Sequence, residues 1–97
     1  MAKITSNYET VILMSLSLGE EGIAALSEKF KGMISEVGTV TEVEEWGKRR
    51  LAYAINDETE GYYLLVRFSA PNDFPAELER VFKITDGVLR TLIVNKD

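Results

Sequence analysis

The stretch "WGKRRLAYAINDETEGYYLLVRFS", residues 46–69, decides how this chain folds. A polar turn, "NDETEG" at 56–61, separates two alternating runs. Before it, Leu51, Tyr53 and Ile55 alternate with Arg50, Ala52 and Ala54. After it, Tyr62, Leu64, Val66 and Phe68 alternate with Tyr63, Leu65 and Arg67. A period of two on both sides of a polar turn reads as a β-hairpin. The alternation sends Tyr53 towards the core with Leu51 and Ile55. It also sets Arg67 roughly opposite Arg50. Gly47 interrupts the first run, and a glycine inside a strand marks a bulge. A bulge turns Lys48, Arg49 and Arg50 out over the strand edge. These three cations raise the functional question, because the chain carries 11 Lys and Arg against 16 Asp and Glu, a net charge of -5.

Working outward, "NYETVILM" (7–14) is a strand with Tyr8, Thr10, Ile12 and Met14 on one side and Glu9, Val11 and Leu13 on the other. Both sides are fairly apolar, which suits a central position. "SLGE" (17–20) has a capping-box pattern in Ser17 and Glu20. Ile23, Leu26, Phe30, Ile34 and Val37 then recur at helical spacing, predicting a helix near 19–36 with Gly38 just past its end. "TVTEVEEW" (39–46) is a strand leading into the hairpin. In "APNDFPAELERVFKI" (70–84), Asn72 and Asp73 are candidate caps, and Phe74, Leu78, Val81 and Phe82 have helical spacing. "TDG" ends that helix, and "VLRTLIV" (88–94) is the last strand.

The order strand–helix–strand–strand–helix–strand is the split βαβ pattern of the ferredoxin-like α+β sandwich. Residues 1–97 form one such domain, with a four-stranded antiparallel sheet and both helices on one face. The first and third strands are expected in the middle, the second and fourth at the edges, and the other sheet face open.

Little in the chain supports catalysis. There is no histidine and no cysteine, so the usual general base, the thiolate nucleophile and disulfides are absent. No catalytic residue, metal or cofactor is expected. Glu44 and Glu45 are neighbours on a strand and point to opposite faces, which suits a charged edge better than an acid–base pair. Asp57, Glu58 and Glu60 lack the spacing of a calcium loop. "LGEEG" fits neither nucleotide-binding loop pattern. No apolar run is long enough for a membrane helix, and "MAKITSNYET" lacks the apolar stretch of a secretory signal. A cytoplasmic location is expected.

The acidic total argues against a general nucleic-acid binder. A phosphate, however, responds to charge within about 8 Å in physiological salt. Arginine grips phosphate with a planar fork and stacks on bases. Cations beside Trp46, Tyr53 and Tyr63 therefore suit folded RNA. The alternative is that they pair across the sheet with Glu42, Glu44 and Glu45, in exposed pairs stabilising by about 0–1 kcal/mol. Composition and spacing leave both open.

"GKRRLAYAI" followed by "EGYYLLVRF" resembles the signature of the bacterial small-subunit ribosomal protein six family. "YETVILM" and "DGVLRTLIV" match it as well, so the likeness covers residues 8–95. The chain departs from the family at Ala54, where proline is common. Its last strand keeps only Arg90 of a more basic pattern, and the sequence stops at Asp97, without the extended tail some members carry.

The resemblance implies a structural ribosomal protein that binds the central domain of small-subunit ribosomal RNA jointly with small-subunit ribosomal protein eighteen, supporting subunit assembly and translation. Lys48, Arg49, Arg50 and Tyr53 fall on the motif and are the expected RNA-facing group, with Arg90, Lys3 and Lys96 as secondary candidates. For the protein partner the open sheet face offers Val11, Leu13, Tyr63 and Leu65, with Trp46 at the rim. Two other classes share the fold. A small-ligand regulatory domain needs a polar pocket. An acylphosphatase-type hydrolase needs an Arg- and Gly-bearing loop after the first strand, where this chain has "SLSLGEEG".

Overall fold

The computed structural model describes residues 5–55 and 58–96. Strand β1 spans Thr5–Ser15, and a single 3-10 turn at Leu16–Leu18 leads into helix α1, Gly19–Val37. Strands β2 (Thr39–Ile55) and β3 (Glu58–Pro71) form the hairpin. Helix α2 (Phe74–Ile84) and strand β4 (Val88–Asn95) complete the order. The sheet runs β2-β3-β1-β4 with every neighbouring pair antiparallel. This is the expected ferredoxin-like sandwich, with β1 and β3 central.

The period-two pattern fixes which sheet face the helices cover. Tyr8, Ile12 and Met14 of β1 and Leu64, Val66 and Phe68 of β3 belong to the buried cluster. Ile23, Phe30 and Ile34 of α1 and Phe74, Leu78 and Phe82 of α2 meet them there. Phe30 packs edge-on against Phe82, with ring centroids 4.7 Å apart, a favoured aromatic geometry. Val37, which continues the helical spacing, is 48% exposed. It lies in the last helical position, beyond the buried residues of α1.

Three local readings change. The expected capping box does not form. The helix is preceded by Leu18 without a side-chain cap, and Ser15 Oγ instead accepts the Ser17 N–H at 3.1 Å, capping the 3-10 turn. At the start of α2 the cap position is Asp73, which makes no side-chain cap bond. The Asn72 side-chain oxygen accepts the Ser6 hydroxyl at 2.8 Å and the Tyr8 hydroxyl at 3.2 Å, tying the loop to β1. Gly38 does follow α1, but its backbone is extended, not left-handed. Its glycine is needed for close approach: a Cβ there would lie 2.0 Å from the Ser69 carbonyl oxygen of β3.

Candidate nucleic-acid and partner interface

The geometry of the basic hairpin follows from its register. Glu45 pairs with Leu64 and Gly47 with Tyr63, leaving Trp46 as an extra residue. Gly47 has φ +79°, a conformation glycine adopts without steric cost. The expected bulge is therefore present. Lys48, Arg49 and Arg50 then pair with Tyr62, Gly61 and Glu60. Between Arg50 and Ile55 the register shifts again, so that four residues of β2 face Thr59 alone. Ile55 pairs with Glu58, so β3 begins inside the expected "NDETEG" turn. Residues 56 and 57 of that turn lie outside the described residues.

This irregularity overturns two expectations. Tyr53 does not point into the core; it is 62% exposed, because the second bulge breaks the alternation that assigned it inward. Arg50 faces Glu60, not Arg67, and Arg67 pairs with Glu42. The reason is again register: each extra β2 residue slides the strand past its partner.

The acids near the hairpin are engaged elsewhere. Arg67 lies 2.8 Å from Glu42, 3.5 Å from Glu44 and 3.8 Å from Glu9. Its hydrogen bond to Glu42 foremost raises the guanidinium pKa above its ordinary value. Glu45 points to the helix side. There burial, and next the charge and hydrogen bond of Glu45, push the Tyr62 phenol up. Lys48 has one loose, exposed contact, 3.9 Å from Glu60. Among the described residues, no carboxylate pairs with Arg49 or Arg50. Arg49 Nε donates to the Trp46 carbonyl, at 3.3 Å. Both arginines are exposed.

The secondary cations are less available. Arg90 is exposed on β4 and donates from Nη1 to the Tyr53 hydroxyl at 3.2 Å. Lys96 pairs with Glu9 at 3.6 Å. Lys3 lies outside the described residues.

On the sheet face away from the helices, Trp46 and Tyr63 sit with ring centroids 6.1 Å apart. Val11 of β1, paired with Leu65, is half-buried on the same face. Leu13 and Leu65 lie on this face as expected but are 3% and 1% exposed; they form its floor and present no free area. Leu92 and Val94 of β4 pair with Val11 and Glu9, so they face the same way, and both are exposed. Neither stands among the partner residues expected from sequence, although period two along "VLRTLIV" sets both on the side of Arg90.

The Tyr53–Arg90 contact also defines the path of the last residues of β2. Arg90, Leu13, Tyr63 and Gly47 form one row across the sheet. The two edge strands lie three spacings apart, about 14 Å, and Tyr53 sits about four residues beyond that row, about 13 Å along the strand. A flat sheet would separate the two backbones by more than their side chains reach. The end of β2 at Tyr53 therefore curls towards the β4 edge, as the added twist of a bulged strand favours.

Comparison with known proteins agrees with this architecture. The sequence profile of the family described as Ribosomal protein S6 matches residues 7–95. A small ribosomal subunit protein bS6 from Clostridium novyi is 54% identical over 92 residues, 94% of this chain and 97% of that protein. Its counterpart from Clostridium beijerinckii is 51% identical over 90 residues, 92% of this chain and 95% of that one. The crystal structure of 30S ribosomal protein S6 from Thermotoga maritima superposes with a TM-score of 0.90 at 27% identity, covering 96% of this chain and 89% of that one. Profile, relatives and fold converge over nearly the full length: this chain belongs to the ribosomal protein S6 family, structural and non-catalytic proteins of the small ribosomal subunit.

Proposed function

We propose that this protein holds the central domain of small-subunit ribosomal RNA through the bulged β2–β3 hairpin, jointly with small-subunit ribosomal protein eighteen on the open sheet face. In that role it supports subunit assembly and translation. Family membership makes ribosomal RNA and ribosomal proteins its neighbours. One observation carries the finer reading: Arg49 and Arg50 are exposed, without a carboxylate partner among the described residues, while Glu42 and Glu44 are held by Arg67. An unpaired guanidinium meets a phosphate without first giving up an ion pair. Exposed Tyr53 and Trp46 add ring faces for unstacked bases. On the other side of the reading, Glu9, Glu42 and Glu44 give the open face an acidic side, which steers a basic partner.

The test is a gel-shift titration of a central-domain RNA fragment, with and without the partner, across a salt series. Arg49→Ala combined with Arg50→Ala should weaken binding and flatten the salt slope by about 0.7–0.9 for each phosphate no longer neutralised. Unchanged affinity at every salt concentration would remove this hairpin from the interface.

A further inference from the structure

We propose that the β2–β3 hairpin is held between two backbone segments of a folded RNA. Arg49 takes a phosphate of one segment on the open face, and Arg50 takes a phosphate of the other on the helix side. This deepens the function proposed above and rests on it: RNA is the ligand, and two adjacent arginines grip different parts of it. The ligand class is a fold in which two phosphate rows pass on either side of a two-stranded ribbon, not one flank of a regular duplex.

From Gly47 to Arg50 the register is unbroken: Gly47 pairs with Tyr63, Lys48 with Tyr62, Arg49 with Gly61 and Arg50 with Glu60. Successive side chains of a strand point to opposite faces. Tyr62 packs against the buried cluster, and Lys48 lines a cleft with Tyr62, Leu16 and Ile23. Lys48 is therefore on the helix side, and so is Arg50 two residues on. Gly61 faces the other way, since a Cβ there would collide with Leu13 Cδ1 on the open face. Arg49 stands opposite Gly61 and shares that face. The sheet thus separates two neighbouring guanidinium groups. Both are exposed, and neither has a carboxylate partner among the described residues.

The β1–β3 ladder ends at Ser15 and Gly61, so at Arg50 and Glu60 the sheet has narrowed to a two-stranded ribbon. Its base is nevertheless fixed: Ser15, only 3% exposed, donates its hydroxyl to Glu58 at 2.6 Å. Arginines on opposite faces of an anchored ribbon are positioned in advance, which lowers the ordering cost of binding. Glu20 and Glu45 line the cleft beside Lys48, and Glu60 lies 3.9 Å from Lys48. Those carboxylates repel a backbone from the cleft and leave Arg50, beyond the end of β1, as the helix-side contact. Phosphates held on the two faces are separated by on the order of 10 Å, the thickness of one sheet layer. A regular RNA duplex has a narrow major groove and a wide, shallow minor groove, and neither flanks a ribbon on both sides. Two backbone segments running side by side do.

The test is hydroxyl-radical footprinting of a central-domain RNA fragment bound with small-subunit ribosomal protein eighteen and saturating amounts of the intact chain, Arg49→Ala or Arg50→Ala. Each variant should lose backbone protection at its own run of nucleotides and keep the other's. Each should also flatten the salt slope by about 0.7–0.9, the share of one phosphate. Both side chains are exposed, so neither substitution removes core packing. A second measurement does not depend on lost affinity. The chain has no cysteine, so Arg49→Cys and Arg50→Cys can each carry a single tethered radical source. Two cleavage sets on different backbone segments support the proposal. Loss of protection at the same nucleotides in both alanine variants, or one shared cleavage set, would overturn it and leave the RNA surface standing. Complete footprints and unchanged slopes in both alanine variants would remove the two-sided grip and the RNA surface together.

Discussion

Two glycines show how the same residue type answers different physical demands. Gly47 has φ +79° and open space around it. Gly38 has an extended backbone, but a Cβ would sit 2.0 Å from the Ser69 carbonyl oxygen. Gly47→Ala therefore meets only the cost of a left-handed conformation, about 1 kcal/mol. Gly38→Ala drives an atom into backbone that cannot swing aside, and we expect about 3 kcal/mol, the upper end for overpacking. Urea denaturation of both variants checks the order; a larger loss at Gly47 would contradict the close approach of α1's end to β3. Helical spacing places Gly38 correctly, just past a helix, but for a local reason. The actual one depends on Ser69, 31 residues on, and no window around residue 38 contains it.

At the scale of elements, legibility follows regularity. β3 is readable side chain by side chain because it is paired on both edges for most of its length. Leu64, Val66 and Phe68 are buried towards the helices, as the period of two demands. β2 is an edge strand with three register shifts. Gly47 announces one of them; nothing in "RRLAYAI" announces the next, so alternation alone misplaces Tyr53 and the partner of Arg50. Helix α2 is readable from Phe74, Leu78 and Phe82, and its exposed side carries a prediction of its own. Arg80 hydrogen-bonds Glu77 one turn earlier, holding that carboxyl below its ordinary pKa. The ionised form is the one the fold favours. Its small contribution is therefore present at neutral pH and disappears as pH falls through the lowered pKa. An NMR titration of the Glu77 carboxyl carbon should show that depression, and Arg80→Gln should return it to the ordinary range. An unmoved midpoint in Arg80→Gln would mean that the pair does not persist in solution.

For the molecule as a whole, the arrangement of charge and apolar surface matters more than the totals. A net charge of -5 coexists with two arginines that have no carboxylate partner among the described residues, because Arg67 collects Glu9, Glu42 and Glu44 on the open face. Composition shows the sign but not that sorting, which depends on β2 register. The open face is sorted as well. Leu65, at 1% exposure, is part of the folded core although no helix covers it, whereas Leu92 is 59% exposed at the β4 edge. The two leucines should separate stability from docking. Leu65→Ala should destabilise the free chain by about 2–5 kcal/mol through loss of buried apolar volume. Leu92→Ala should stay within about 0.5 kcal/mol of the parent, since little is buried there, yet weaken capture of small-subunit ribosomal protein eighteen if that partner covers this face. Thermal or urea melts measure the first effect and calorimetric titration with the purified partner the second. Full partner affinity in Leu92→Ala would move the docking surface off the β4 side, towards Trp46 and Tyr63 on the opposite half of the sheet.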